Sequence, residues 1–379
     1  MKKIECSIYR GGTSKGVFLL KKDLDRLGYD QDEVLLRIMG SPDVRQIDGL
    51  GGAVSTTSKV AIISNEENEE WDVNYTFAQV AIDKPIVSYA GNCGNISSAV
   101  GIFSIESGLV DAVDPITTVK VYNKNTNKII YEHIPTPDGQ LVYKGDFKIS
   151  GVPGSGLKIV LEFMEPAGSI TGKLLPTGNV IDTLTVEDFG EIDVSIVDAA
   201  NPLVFIEANK VGLVGNENAS EIDNSEERLR LLEKIRGAAA EKLGFIKTAD
   251  QSSQKSPGVP KLTLVSSAEN YTTVGGENIR SDSYDLAVRM MSMQKAHKTI
   301  ALTGALCTAA ACVIPGTIPN LLLKKNNLSS NQTKLVFGHS DGLIETTINY
   351  ELNKEEGVTI RSISSYRTAR KILTGTVFF

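Results

Sequence analysis

The chain has 379 residues, more than one compact domain usually holds, so two domains are expected. Hydrophobic residues make up 41% and charged residues 22%, which excludes a disordered chain and leaves apolar material for two cores. Lys and Arg total 39 against 46 Asp and Glu, a net charge of −7 with no basic run; this argues against nucleic acid or an anionic membrane as partner but not against a small anion, which local donors bind.

At the N-terminus, Glu5 and Arg10 interrupt what would have to be the apolar core of a secretory leader after Met1-Lys2-Lys3. Short β-branched runs bounded by turn residues predict strands over 16–20, 59–64, 118–122 and 158–163. Between them, Gly91-Asn-Cys-Gly-Asn95 opens a stretch of small and apolar residues that predicts a helix ending near Val110. An amphipathic helix is predicted over 225–243, with Asn224 and Glu227 as its capping box and Gly244 as its stop. Residues 248–260 predict an exposed loop. A last helix is predicted over 299–313. The apolar stretch around it, Ile300 to Ile314, is broken by Thr303, Gly304 and Thr308 and is too short to span a bilayer.

Both the helix after Cys93 and the one over 299–313 are apolar nearly all round, and a helix without a polar face must be enclosed on every side. In a strand-rich chain, sheet wrapped around each helix is the economical enclosure. Two domains of similar build are therefore expected, residues 1–185 and 186–379. A faint repeat agrees: Ser14-Lys-Gly-Val-Phe-Leu19 aligns with Asn201-Pro-Leu-Val-Phe-Ile206, each about a hundred residues before its enclosed helix.

Three segments carry candidate chemistry. In Gly91-Asn-Cys-Gly-Asn95 the glycines let a ligand approach the backbone, and unpaired N–H groups of a first helical turn favour a carboxylate and a thiolate. The plain alternative is a small buried cysteine at a turn. The second segment, Gly49-Leu-Gly-Gly-Ala-Val-Ser-Thr-Thr-Ser-Lys59, would enclose an anion and present an amine; desolvated amines lose their proton more readily and can act as bases. Its alternative is a surface loop with a solvated lysine. The third, Arg10-Gly-Gly-Thr-Ser-Lys-Gly16, lacks the order of a phosphate loop but offers a nest of donors. The three histidines, 133, 297 and 339, have no metal-ligand spacing, and no dinucleotide fingerprint occurs. Cys6, Cys93, Cys307 and Cys312 have no disulfide framework, as in reduced cytoplasmic proteins. Cys307 and Cys312, about 140° apart around a helix, are expected to pack in the core.

Taken together, Arg10-Gly-Gly-Thr-Ser-Lys-Gly16, Gly40-Ser-Pro-Asp43, Ile47-Asp-Gly49, Thr57-Ser-Lys59, Gly91-Asn-Cys-Gly-Asn95, Pro176-Thr-Gly-Asn179, Pro315-Gly-Thr317 and Phe337-Gly-His339 resemble the methylaconitate isomerase (PrpF-like) family, in family order over nearly the whole chain. Ser41-Pro-Asp-Val-Arg-Gln-Ile-Asp-Gly49 is most similar to its 3-methylitaconate Δ-isomerase branch. The resemblance implies an α/β (α+β) fold of the diaminopimelate-epimerase-like kind, two similar domains each a barrel-like sheet around a central helix. It also implies no cofactor and no metal, a small unsaturated di- or tricarboxylate as substrate, and a homodimer as an admissible assembly. The family's catalytic lysine and cysteine match Lys59 and Cys93. No second Gly-Asn-Cys-Gly-Asn occurs, so a lysine–cysteine pair replaces the two thiols of a diaminopimelate epimerase.

The expected reaction is a proton-transfer shift of a carbon–carbon double bond, 3-methylitaconate to 2,3-dimethylmaleate being the type. Ser14, Lys15, Asn92, Gly94 and Asn95 are expected to bind substrate beside Lys59 and Cys93, and Thr303, Gly304 and Ser340 to hold a distal carboxylate. Cis–trans isomerisation of 2-methylaconitate is the alternative within the family. Outside it stand a Ser–Lys hydrolase built on Thr56-Thr-Ser-Lys59 and a non-catalytic carboxylate-binding or accessory protein.

Overall fold

The structure, a computed structural model, describes residues 2–65, 70–324, 328, 331–353 and 357–379. The chain forms two compact units, one of Met1–Glu162 with Tyr366–Phe379, the other of Phe163–Ser365. The division therefore falls at 162/163 rather than at 185, and the chain's last strand returns to the first unit.

In the first unit, β1 (Lys3–Gly11) and β2 (Ser14–Leu20) form a hairpin, Gly11 opposite Ser14. Two helices follow, α1 (Lys21–Asp25) and α2 (Gln31–Met39), the second capped by Asp30 and stopped by Gly40 at φ 74°. They carry the chain to β3 (Lys59–Ser64), parallel to β2, which pairs antiparallel with β4 (Val73–Val80). After the two-residue β5 (Val87–Ser88) come α3 (Gly94–Ser97) and α4 (Val100–Glu106), and then β6 (Ile116–Asn123), parallel to β4 and antiparallel to β7 (Lys128–Pro135). α3 touches β1 and β2, while α4 touches β3, β6 and β7, so strands surround the helical segment as its apolar composition requires. The rings of Tyr9, Phe18 and Phe103 meet in tilted and edge-on contacts at this core, and α1 and α2 cover the other face of the sheet.

The single helix expected from Gly91-Asn-Cys-Gly-Asn95 to near Val110 starts at Gly94, is broken at Ser98–Ala99 and ends at Glu106. The serine hydroxyls explain the break: Ser97 Oγ donates to Cys93 O at 3.2 Å and Ser98 Oγ to Asn95 O at 2.7 Å, while Ala99 N turns back three residues to Ile96 O. Gly108 at φ 68° follows the helix's end.

A strand at the junction, β8 (Ile159–Met164), precedes the second unit's β9 (Asp182–Val186), β10 (Gly190–Asp198) and β11 (Pro202–Glu207). Helices α5 (Ala219–Asp223), α6 (Glu226–Lys242) and α7 (Ser252–Lys255) lead to β12 (Lys261–Ser266), parallel to β11. The capping box lies six residues upstream of its expected place, between Asn218 and Glu221 at the start of α5, and Ser225 caps α6 instead. The expected loop over 248–260 contains α7, buried at Ser252, whose Oγ donates to Glu233. Short β13 (Tyr271–Thr272) and β14 (Asn278–Ile279) pair with each other. β15 (Leu286–Ser292) is antiparallel to β12, followed by β16 (Lys295–Ala296), α8 (Leu302–Val313) and α9 (Ile318–Leu322). β17 (Asn331–His339) is parallel to β15, and β18 (Gly342–Asn353) and β19 (Gly357–Arg367) extend antiparallel from it. Every residue of α8 is buried, against β10, β11 and β18, while α6 packs on the far face of the sheet.

The two units thus repeat one order of pairings: hairpin, helical crossover to a parallel strand, antiparallel neighbour, buried helix, parallel strand, antiparallel neighbour. Val17 opposite Val60 in one matches Val204 opposite Leu262 in the other, Val17 and Val204 standing at the offset of the six-residue repeat read from the sequence. The last strand, β20 (Ala369–Phe378), pairs along the whole of β1, from Lys3 opposite Phe378 to Gly11 opposite Ala369.

Candidate functional site

Lys59 opens β3, opposite Gln79 of β4. The motif segment over 40–58 ties that position down. Gln46, buried, donates from Nε2 to Ser41 Oγ at 3.1 Å and to Ser58 Oγ at 2.7 Å, and accepts from Ala53 N at 2.9 Å; Ser58 Oγ then donates to Val80 O at 2.9 Å. Glycines here serve contact: a Cβ on Gly51 would lie 2.2 Å from the Gln46 amide, and one on Gly49 2.1 Å from Gly40 N. The lysine side chain is not solvated, being only 9% exposed. Its Nζ donates to Gln79 Oε1 at 2.5 Å and lies 5.0 Å from the Phe77 ring centre. Gln79 Nε2 donates to Ser55 O and Ser58 O, at 3.1 and 2.9 Å, so its amide can only present oxygen to Lys59.

Cys93 is half-buried and precedes α3, after Gly91 at φ 80°. Its carbonyl accepts from Ser97 N at 2.9 Å, and Asn92 Oδ1 accepts from Ser97 Oγ at 3.4 Å. Asn95 donates from Nδ2 to Thr13 Oγ1 at 3.0 Å. The two glycines after Arg10 admit this turn: a Cβ on Gly11 would lie 2.3 Å from Asn95 O, and one on Gly12 2.2 Å from Asn95 Oδ1. Arg10 itself donates to Gly12 O and Thr368 O. Ser14 is buried next to this hairpin turn, and half-buried Lys15 donates its backbone N–H to Thr56 O, joining the first motif to the segment before Lys59.

Tyr75, Phe77 and Gln79 alternate along one face of β4, about 13 Å from end to end. Gln79 and Phe77 meet Lys59, and the Tyr75 hydroxyl is pushed well above its ordinary pKa by burial and then by the charge at Cys93. One strand face thus runs from the amine to the surroundings of the thiol.

Sequence reasoning missed two residues here. Gln79 sits in an unremarkable strand. Arg367, 5% exposed, donates from Nε to Asn95 Oδ1 at 2.8 Å. It lies 272 positions from Asn95 in a segment without a motif, and only the return of the chain to β1 brings it there.

The remaining predicted residues belong to the second unit. Thr303 and Gly304 form the first turn of α8, where a Cβ on Gly304 would lie 1.8 Å from Met290 Cε. Ser340 is buried in the turn between β17 and β18; its carbonyl accepts from Val274 N, and its Oγ has no partner among the described residues. Cys307 is buried and donates to Val197 O at 3.2 Å, with burial raising its thiol pKa, and burial does the same to Cys312. Pro176-Thr-Gly-Asn179 closes a turn onto Asp182, which accepts from Thr177 Oγ1 at 2.6 Å and Asn179 Nδ2 at 2.9 Å. Thr317 of Pro315-Gly-Thr317 caps α9. Among the described residues no group of three or more His, Cys, Asp or Glu could hold a metal, and no helix is long and apolar enough to cross a membrane.

A model of the PrpF protein family matches residues 1–379. The chain is 44% identical over 377 residues to 3-methylitaconate isomerase of Eubacterium barkeri, covering 99% of this chain and 97% of that one. It is 36% identical over 388 residues to 2-methyl-aconitate isomerase of Shewanella oneidensis, covering 99% and 96%. The crystal structure of a methylitaconate-delta-isomerase superposes with a TM-score of 0.80 at 43% identity, covering 99% and 95%. A hydroxyproline epimerase from Agrobacterium vitis, 11% identical with a TM-score of 0.56 over 99% and 92%, shares the fold alone, the diaminopimelate-epimerase-like architecture expected from the sequence.

Proposed function

Because the chain belongs to the PrpF family, we propose that it is an isomerase that moves the double bond of a small unsaturated dicarboxylate, 3-methylitaconate to 2,3-dimethylmaleate being the type. Identity of 44% to a 3-methylitaconate isomerase, against 36% to a 2-methyl-aconitate isomerase, favours the dicarboxylate. The observation that supports the mechanism is that a desolvated Lys59 and the helical turn following Cys93 meet across Gly16, where a Cβ would lie 3.0 Å from Lys59 O and 3.1 Å from Ile96 Cδ1.

The reaction removes the proton from the methyl-bearing carbon α to a carboxylate. The electron pair enters the neighbouring double bond, which shifts, and a proton is added at the former methylene carbon. No atom is gained or lost. Lys59 and Cys93 are the proton-transfer groups, one residue doing both steps or the two dividing them. Removing the proton places charge on an already anionic carboxylate, and fixed donors stabilise it, each worth about 3 kcal/mol. Asn92, Gly94, Asn95, Ser14 and Lys15 supply donors around Cys93; Thr303, Gly304 and Ser340 are assigned to the distal carboxylate.

Of the hydroxyls in Thr56-Thr-Ser-Lys59, Thr57 Oγ1 donates to Val54 O and Ser58 Oγ to Val80 O, which leaves the Ser–Lys alternative to Thr56; covalent labelling of Thr56 by a fluorophosphonate would favour that alternative. The test is solvent-deuterium incorporation, followed by NMR, with 3-methylitaconate, 2-methylaconitate and itaconate. Wild-type protein is expected to label 3-methylitaconate fastest, and Lys59→Ala and Cys93→Ala each to slow labelling by at least about 100-fold, in line with the usual weight of general acid–base groups. Full activity in either variant removes that residue from the role, and binding without label incorporation would identify a carboxylate-binding protein instead.

A further inference from the structure

Arg367 is a buried cation of the first unit that this reaction scheme leaves without a task. The buried guanidinium of Arg236 is compensated by a two-pronged pair with Glu233, at 2.7 and 2.6 Å, whereas that of Arg289 donates to the carbonyls of Glu217, Val288 and Gly338, lies over the Tyr271 ring and leaves Nη2 without a hydrogen-bond partner among the described residues. Arg367 is as buried, and its hydrogen-bond partners are neutral too: Nε donates to Asn95 Oδ1 and Nη1 to Tyr366 O, both at 2.8 Å. No carboxylate pairs with it among the described residues. Burial pulls its pKa down to about 10, opposed by electrostatic interaction with Cys93, so it remains a cation at neutral pH. A buried cation is costly unless paired, and a guanidinium is the side chain whose fork fits a carboxylate. Gly12 lies against the same group; a Cβ there would sit 3.0 Å from Arg367 Cδ.

We propose that Arg367 is a substrate-binding residue, the guanidinium that receives one carboxylate of the substrate next to Cys93. The assignment rests on the isomerase reading for the identity of the anion, and deepens it by naming a charged receptor that complements the neutral donors of Asn92 and Asn95. In this arrangement Asn95, which accepts from Nε, orients the fork, and the second terminal nitrogen is left for the ligand.

Alkylation of Cys93 tests the proposal without turnover. Iodoacetate and iodoacetamide react with a thiolate by the same displacement of iodide, but only iodoacetate carries a carboxylate one carbon from the reacting centre. The ratio of their rates at Cys93, read by mass spectrometry of its peptide, is expected to exceed the ratio for free cysteine by at least tenfold. Arg367→Lys should keep part of that excess and Arg367→Gln should abolish it. A wild-type ratio equal to that of free cysteine overturns the assignment and requires no variant to fold, as does an excess that survives in Arg367→Gln. Should 3-methylitaconate take up no deuterium while the excess holds, the reaction is wrong and the anion receptor stands; label uptake with no excess has the opposite meaning.

Discussion

Gln79 holds Lys59 through an oxygen that has no freedom to turn away, because its Nε2 is committed to two backbone carbonyls. If Lys59 must be unprotonated to remove the substrate proton, the neutrality of that amide matters. Gln79→Glu places a carboxylate at hydrogen-bond distance and favours the ammonium form, so the acidic limb of the kcat/KM profile is expected to move to higher pH, with activity recovered at alkaline pH. Gln79→Leu removes the acceptor and should lower kcat by about tenfold or more while changing KM less, since misorientation of a reacting group falls on the chemical step. An unshifted profile in Gln79→Glu would separate Gln79 from the reaction. Lys59 and Cys93 stand out as candidates in the chain because glycine and amide flanks mark them. Gln79 and Arg367 do not, because strand register and a return crossing of the whole chain bring them to their places, and neither leaves a local pattern.

The element that carries Cys93 shows what composition can and cannot fix. Its small and apolar residues correctly predict enclosure by strands, but not the break after Ser98, which arises from hydroxyls competing for backbone carbonyls. The α6 cap was misplaced for a related reason: Asn224 and Ser225 are both good caps, and only the path of the preceding turn selects Ser225. Within the first unit, α4 is pinned to β7 by Glu132, whose Oε2 accepts from Gly101 N at 2.9 Å; a Cβ on Gly101 would itself lie 2.9 Å from that oxygen. Burial raises the Glu132 pKa well above 4.5, opposed by the Gly101 N–H. A carboxyl held protonated in the folded state contributes stability that is complete below its unfolded pKa and is lost as pH rises towards the folded value. Glu132→Gln keeps the shape and the acceptor but cannot ionise. Its Tm is therefore expected to match that of wild type near pH 4 and to exceed it progressively from pH 5 to pH 8. A Tm difference that is constant across that range, or of opposite sign, would show that Glu132 is ionised in the folded protein.

Across the molecule, the six-residue repeat proved to be the visible trace of a repeated order of strand pairings. By the same strand register Lys59 corresponds to Lys261, yet Lys261 Nζ donates to Gly258 O at 3.1 Å where Lys59 Nζ donates to Gln79 Oε1, so the architecture is duplicated while the surroundings of the lysine differ. The division at 185 failed because a boundary read along the chain cannot anticipate a strand that comes back. β20 supplies the antiparallel neighbour for nine residues of β1, whose edge would otherwise be bare, and it also fixes Thr368, which accepts from both Gly12 N and Arg10. Most β20 side chains are exposed, so its contribution lies in main-chain pairing more than in apolar burial. Ending the chain after Thr368 keeps Arg367 but removes that pairing. Amide hydrogen exchange is then expected to lose protection along Lys3–Gly11 by at least tenfold, with β12 and α6 of the second unit much less affected, and deuterium labelling of 3-methylitaconate to fall with it because Gly11 and Gly12 seat Asn95. Equal loss of protection in both units would mean that they unfold as one cooperative body; unchanged protection in β1 would mean that β20 is an ornament to a sheet already stable without it.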